Sequence, residues 1–219
     1  MLDAGLPIMI LIWLEEIDSS WFGAALHDGA LVATAAAPAP EVVRRAILGS
    51  LPVEAPRRFM KEPTEKSRST IRMLADLERG KEECKRFELS SVYVLEPLRS
   101  VLRTAAAIPR GYVSTYGSIA RVAHTDARTV GRIMASNPLY PVVPCHRVVG
   151  SDLSLVGYGG SRKAPALLAK LKRLRDERQG FVEESLIETA GALKVVPVEW
   201  AIARAEKDGV TGARQLNLW

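Results

Sequence analysis

Hydrophobic and polar positions divide the chain into segments of two different periods. Between residues 7 and 37 the apolar runs are short and rich in β-forming residues: "IMILIWLEEI", "WFGAAL" and "ALVATAA". His27-Asp28-Gly29 separates the last two, and Asp-Gly between apolar runs signals a hairpin. "APAP" at 37–40 breaks the pattern. "PEVVRRAILGSL" then has proline at a helix start and apolar residues at helical spacing. The charged stretch from Lys61 to Arg86 carries Ile71, Leu74 and Leu77 at three-residue steps, which reads as a helix with a solvated face.

Past residue 88 the helical period dominates. "LEPLRSVLRTAAAI" is an amphipathic helix ended by Pro109 and Gly111. "STYGSIARVAH" predicts a short helix opened by Ser114 or Thr115. "TDARTVGRIMASN" predicts another, capped by Thr125 or Asp126 and stopped at Asn137-Pro138. Two short helices across a tight turn make a helix-turn-helix candidate, although a plain helical hairpin is the commoner outcome of that spacing. The apolar "LYPVVPCHRVV" follows, then "GYGGSR", whose glycines permit a tight loop. Lys163 to Arg178 reads as a basic helix, and "PVEWAIARAEKDG" as one more before a polar end. No internal repeat occurs. The pattern predicts an α/β N-terminal domain over 1–88, a mainly helical domain over 89–180 and an extension over 181–219.

Composition narrows the function classes. The 219 residues are 47% apolar and 25% charged, an ordinary globular balance. The apolar run from Pro7 to Leu14 is too short to span a bilayer and follows no basic region, so neither an anchor nor a signal peptide is expected. A cytoplasmic location and no membrane partner follow as expectations. Net charge is +5, with pI near 9.4, which favours polyanionic partners without requiring them. Two cysteines, Cys84 and Cys145, make neither a disulfide framework nor a four-cysteine zinc site. His27, His124 and His146 are scattered, so no bound metal and no cofactor are expected. Phosphate-binding glycine patterns are absent. Only Asn137, Asn217, Gln179 and Gln215 carry side-chain amides, which fits a hot habitat.

Cys145 holds the chemistry. A thiol reacts as thiolate and needs a base or a positive environment. His146 is adjacent, but neighbours on an extended strand point to opposite faces. In a turn, or through a water, the two could still communicate. For an arbitrary Cys-His pair, a buried packing cysteine is the commoner case.

The wider sequence decides otherwise. "PCHRVV" at 144–149 resembles the active-site hexapeptide of the O6-alkylguanine-DNA alkyltransferases, also called methylated-DNA–protein-cysteine methyltransferases. "IPRGYVSTYGSIA" at 108–120 is similar to the family's pre-recognition segment. "ARTVGRIMASNP" at 127–138 resembles its recognition helix and asparagine hinge, and "VGYGG" at 156–160 its substrate loop. The order and spacing of these blocks also fit; they cover roughly 95–175.

The resemblance implies a ribonuclease-H-like N-terminal sheet and a helix-turn-helix, winged-helix-like C-terminal domain. It implies irreversible, single-turnover transfer of an alkyl group from O6-alkylguanine, and from O4-alkylthymine, in double-stranded DNA to Cys145. His146 deprotonates Cys145 through a water, and Asn137 ties the recognition helix to the active-site turn. Tyr116 donates to the guanine. Pro141 walls the alkyl pocket, Tyr158 lies against the base, and the Gly159 amide sits near its O6. The Cys145 and Val148 carbonyls accept from the exocyclic amine. Ser114, Thr115, Ala127, Arg128, Thr129, Gly131 and Ser136 form the DNA face. There Ala127 and Gly131 allow close approach, and Arg128 fills the gap left by the extruded base. A monomer is expected. Physical reasoning runs the same way: a base in a duplex must be extruded to be reached, small residues permit minor-groove approach, and the leaving group needs a donor.

The sequence departs from the family pattern in three places. The glutamate that supports the histidine falls, by ungapped counting, near Lys170 or Leu171. Asp176 or Glu177 can serve only if a turn is added. "FELSSVYVLEPL" lacks the usual Phe-Gln. Residues 181–219 exceed most members, and with no matched block in them they are expected to be dispensable for transfer. Three other readings stand beside the alkyltransferase: a lesion-binding relative, which would lack the cysteine; a transcription regulator, which would leave it unused; and a cysteine hydrolase, which would need an oxyanion hole and a separate histidine. The N-terminal sheet has no acidic metal cluster and is expected to be a scaffold.

Overall fold

The computed structural model describes residues 9–81 and 87–210. Cys84 therefore lies outside the described residues. The chain forms two compact units: residues 1–99 with 138–142, and residues 100–137 with 143–219. The two units divide between Arg99 and Ser100, eleven residues past the boundary expected after residue 88.

The first unit is built on β1 (Ile10–Ile17), β2 (Ser20–His27), β3 (Ala30–Ala37) and β4 (Arg57–Phe59), in the order β3-β2-β1-β4. The first three strands are antiparallel, and β4 is parallel to β1. The N-terminal α/β sheet domain that the resemblance implied is thus present as a mixed four-stranded sheet. Asp28 and Gly29, both at positive φ, make the β2–β3 turn. The helix α1 (Pro40–Ser50) has its proline in the first turn and buries Val43 and Ile47 against Ile10, Ile12, Ala25 and Ala33. Gly23 leaves room for this: a Cβ there would lie 2.6 Å from Val43 Cγ1. The helix α2 (Glu65–Glu78) opens on a reciprocal Thr64–Ser67 capping box. Residues 138–142 join this unit through Thr34, whose amide donates to Pro138 O (2.8 Å) and whose hydroxyl donates to Tyr140 O (2.9 Å).

The second unit begins within α3 (Leu98–Ala106), which buries Val101, Leu102, Thr104 and Ala105. After it come β5 (Tyr112–Thr115), α4 (Tyr116–Val122) and α5 (Ala127–Ala135). The cap of α4 is Thr115, whose Oγ1 accepts from Ser118 N (3.0 Å). The cap of α5 is Asp126, which accepts from Arg128 N (2.9 Å) and Thr129 N (3.0 Å). His124, at φ 50°, turns the chain between the two helices. Cys145–Arg147 form one turn of 3-10 helix, leading into β6 (Val148–Val149), and α6 (Ala164–Asp176) follows.

Residues 181–210 are not an appendage. Strands β7 (Ser185–Glu188) and β8 (Ala192–Pro197) form a hairpin, and β8 pairs with β5 to give the sheet order β6-β5-β8-β7. The last helix, α7 (Val198–Lys207), buries Val198, Ala201, Ile202 and Ala205 in one core with Leu171 and Leu174 of α6 and Val113 of β5. Residues 185–207 thus contribute two strands and a core helix to the second unit, while the polar end beyond residue 210 lies outside the described residues.

Candidate active site

The 3-10 turn places Cys145 and His146 side by side without the alternation of a strand. Cys145 is 8% exposed and His146 7%. Cys145 lines a cavity of about 500 Å³, together with Tyr116, Ala127, Arg128, Gly131, Tyr158 and Gly159. All seven were named from the sequence. Met134, Ala135, Val156 and Arg162 line it too, and sequence reasoning missed them. Met134 is the apolar inner face of α5 and could have been read from its period.

The glycine loop is a tight turn. Tyr158 N donates to Ser161 O (2.8 Å), and Ser161 N donates back to Tyr158 O (3.0 Å). Gly159 (φ 54°) and Gly160 (φ 74°) occupy the two central positions. Two consecutive positive φ values are the signature of a type I′ turn and favour glycine. A Cβ on Gly160 would sit 3.4 Å from Ala135 O, so the loop runs close to the end of α5.

Asn137 Nδ2 donates to Val143 O (2.8 Å), and its side chain also hydrogen-bonds Cys145. The asparagine thus stands between the end of α5 and the cysteine turn. Burial pushes the Cys145 thiol upward. Asn137 and the positive charges of Lys170 and Arg173 oppose that shift without cancelling it. The resting group is a thiol. Burial likewise raises Tyr116, with the Cys145 charge adding and Arg162 opposing, so the phenol keeps its proton.

Behind the thiol, His146 Nε2 lies 2.7 Å from Glu177 Oε1. Arg147 grips the same carboxylate from Nε to Oε2 (2.9 Å) and from Nη2 to Oε1 (2.9 Å), while its Nη1 donates to Ile108 O (2.6 Å). Burial by itself raises the Glu177 carboxyl, but His146 and Arg147 outweigh it and hold the group down at about 2. Desolvation dominates for His146 and lowers it despite Glu177. Near neutral pH the pair is therefore carboxylate and neutral imidazole. With Glu177 accepting from Nε2–H, Nδ1 carries the free lone pair. Nδ1 is buried and has no protein hydrogen-bond partner.

The acid is Glu177, and ungapped counting had pointed to Lys170 or Leu171. Loop length cannot be fixed by counting: the glycine turn and the proline-started helix add residues before the carboxylate returns to the cysteine turn. Lys170 stands at the counted place, fully buried. Its Nζ donates to the carbonyls of Val148 (2.6 Å), Leu155 (2.8 Å) and Gly157 (3.1 Å), stapling the cysteine turn to the glycine loop. Burial lowers this ammonium to about 8.

The remaining sequence-named residues are placed as follows. The Val148 carbonyl, expected to accept from the base, already accepts from Lys170, and Val148 does not line the cavity. Pro141 belongs to the first unit and is not among the lining residues. Ser114, expected on the DNA face, is 1% exposed and donates to Lys194 O (2.6 Å), because β8 pairs beside it. Thr115 and Thr129 spend hydroxyls on the caps of α4 and α5. Ser136 is exposed at the end of α5 and donates to Arg132 O (3.1 Å). Arg128 is exposed on the first turn of α5. No group of three His, Cys, Asp or Glu able to hold a metal occurs among the described residues. None of their helices is long and apolar enough to cross a membrane.

Comparison with known proteins bears on the second unit. The family described as 6-O-methylguanine DNA methyltransferase, DNA binding domain, matches residues 97–179. A methylated-DNA–protein-cysteine methyltransferase of Pyrobaculum aerophilum is 57% identical over 63 residues, 28% of this chain and 43% of that protein. One from Saccharomyces cerevisiae is 48% identical over 67 residues, 30% of this chain and 36% of that protein. The chain spans less than half the length of these curated relatives. In fold it is similar to the O6-methylguanine-DNA methyltransferase of Pyrococcus kodakaraensis, with a TM-score of 0.55 at 24% identity over 77% of this chain and 99% of that one. A Mycobacterium tuberculosis OGT solved in complex with DNA gives a TM-score of 0.51 at 20% identity, over 77% of this chain and 92% of that one. Residues 97–179 are thus similar to the 6-O-methylguanine DNA methyltransferase DNA-binding domain.

Proposed function

We propose that this protein repairs DNA by direct reversal, taking the alkyl group of O6-alkylguanine onto Cys145 in a single irreversible turnover. One observation carries the reading. A buried thiol opens onto a cavity of about 500 Å³ and is backed by a neutral histidine whose far nitrogen is held by a buried carboxylate.

The chemistry follows from those groups. His146 Nδ1 takes the thiol proton through a water. The Cys145 sulfur then attacks the alkyl carbon; the C–S bond forms as the C–O6 bond breaks. The electron pair stays on the purine, where the phenol of Tyr116 supplies a proton and later regains one from solvent. The products are a thioether and guanine. No group in the cavity is set to cleave a thioether, so each molecule acts once.

A lesion inside a duplex is out of reach, so the base is extruded, at a few kcal/mol. Ala127 and Gly131 are the small residues on α5 at the cavity's rim, and Arg128 beside them is exposed with its guanidinium free to enter the groove. Its planar head replaces the lost stack. O4-alkylthymine presents the same alkylated exocyclic oxygen beside a ring nitrogen, and the cavity accepts the smaller ring. The net charge of +5 suits the polyanion. The protein acts as a cytoplasmic monomer, and its four side-chain amides in 219 residues suit a hot habitat.

The test is intact-protein mass spectrometry after incubation with duplex DNA carrying one O6-methylguanine. The expected result is a gain of one methyl per chain, on the peptide holding Cys145. Recovery of unmodified protein together with unrepaired DNA would leave a lesion-binding protein.

A further inference from the structure

We infer that residues 181–210 act as a brace that fixes Glu177 on His146, with Glu199 as its positioning residue. The family match ends at residue 179, two residues past Glu177. The inference rests on the transfer reaction proposed above.

Glu177 is the C-cap of α6, where a helix normally frays. Three features of the added segment hold that end. First, Glu199 on the first turn of α7 reaches across: its Oε1 accepts from the amides of Gln179 (3.3 Å) and Gly180 (2.8 Å). Second, Phe181 stacks on Tyr112, with ring centroids 4.8 Å apart and planes at 24°. Gly111 makes the seat for this fold-back. It sits at φ 85°, and a Cβ there would lie 2.7 Å from Phe181 and 2.8 Å from Gln179. Third, the two helices are joined beyond the capped end. Arg175 pairs with Glu206 (2.8 Å), and Leu171 and Leu174 share a core with Ala201, Ile202 and Ala205. Arg110 adds a bond from Nη2 to Asp176 O (2.9 Å).

The brace matters because of what Glu177 does. Its carboxylate selects the tautomer that leaves Nδ1 of His146 as the base, and it raises a basicity that burial depresses. A carboxylate on a frayed helix end would sample other positions, and each would leave His146 a weaker base. Glu199 touches neither substrate nor reacting atoms. It works through two backbone amides.

The experiment compares wild type, Glu199→Ala, Glu199→Gln, His146→Ala and the double variant His146→Ala/Glu199→Ala. Each is measured for alkyl transfer from free O6-benzylguanine and from duplex DNA, for duplex affinity and for melting temperature. Glu199→Ala is expected to slow transfer about tenfold with both substrates, while duplex affinity stays within about twofold. The loss should shrink as pH rises towards the thiol's own ionisation, which burial pushes above its ordinary range. Glu199→Gln keeps an acceptor oxygen and should recover most of the rate. In the His146→Ala background Glu199→Ala should change nothing further, because its route runs through the imidazole.

Equal rates for Glu199→Ala and wild type overturn the brace. So do multiplicative effects in the double variant, which would mark Glu199 as a stability residue only. If Glu199→Ala does not fold, Phe181→Leu takes its place: it should slow transfer while Glu199→Gln stays near wild type, and an unchanged rate in Phe181→Leu overturns the brace. Joined to a slowed Glu199→Gln, that result would reassign the effect from the hydrogen-bonded amides to charge. A wild-type protein that transfers nothing would instead remove the proposed function itself.

Discussion

Each unit of the protein buries one histidine to the same degree: His27 and His146 are both 7% exposed. Each lies on a short bond to an oxygen. The difference is in the second nitrogen. His27 Nδ1 bonds Ser90 Oγ (3.1 Å), its Nε2 lies 3.5 Å from the exposed Asp28 carboxylate, and its ring meets Tyr93 edge-on at 5.2 Å. One nitrogen is bonded, the other faces a carboxylate, and no cavity-lining thiol stands by among the described residues, so His27 is a packing residue of the scaffold. His146 has one nitrogen fixed by a buried anion and the other without a protein partner, beside a thiol that opens on a cavity. A histidine with one face over-determined and one face left open is equipped to move a proton. A histidine satisfied on both faces is equipped to stay put.

The largest effect belongs to the thiol. Cys145→Ser should abolish transfer, because a serine hydroxyl at neutral pH has no comparable nucleophilic form without a far stronger base. Duplex affinity should be retained, since neither the helix surface nor the net charge changes. A methyl adduct appearing elsewhere on that variant, on Cys84 for example, would dissolve the contrast between the two regions.

Next in size is His146→Ala. Loss of a general base costs typically about 10²- to 10⁴-fold, and the rate should climb again as pH approaches the thiol's own ionisation. A loss independent of pH would show that His146 only packs, as His27 does.

Much of this contrast was legible from the chain. The caps Asp126 and Thr115, the stop at Asn137-Pro138 and the glycine turn are local signals, read from a few adjacent residues and found where expected. What escaped depends on pairing at a distance. "YVST" is too short to announce β5, and it becomes a strand because "ALKVVP" returns to its first half from beyond residue 190 and Val148-Val149 pairs with its second half. The same return buries Ser114, which looked like a surface hydroxyl. Glu177 was legible only as an alternative, beside Asp176 and conditional on an added turn, because the distance between Cys145 and its acid is set by the glycine turn and the start of α6, neither of which counting can measure.

The Glu177 site also predicts a pH dependence of stability. Its carboxyl is held at about 2 in the fold, against 4.5 for an unperturbed group. A lowered carboxylate stabilises the fold fully above the unfolded value and loses that contribution as pH falls through the folded one. The difference of 2.5 units corresponds to about 3 kcal/mol, lost between roughly pH 4.5 and pH 2. Glu177→Gln should therefore unfold more easily than wild type at pH 7, with the gap closing towards pH 2. A gap constant across that range in denaturant titrations would mean that packing, and not charge, sets the cost.

Arg128→Ala tests the DNA face in isolation. It should slow reaction with duplex substrate by about tenfold to a thousandfold, a loss of about 1.4 to 4 kcal/mol, and leave free O6-benzylguanine near the wild-type rate. Equal slowing of both substrates would move Arg128 from the groove to the pocket wall. No slowing of either would make it an ordinary solvated charge.

The smallest effect on transfer should come from His27→Gln. Glutamine can still donate to or accept from Ser90 Oγ, but it loses the edge-on contact with Tyr93, so stability should fall by about 1 kcal/mol. The transfer rate should stay within about twofold of wild type at every pH, because nothing in the thiol's surroundings is altered. The comparison depends on this variant as much as on His146→Ala. If His27→Gln shifted the pH profile of transfer at matched folded fraction, the scaffold histidine would be coupled to the proton path. The open second nitrogen would then no longer separate the two sites.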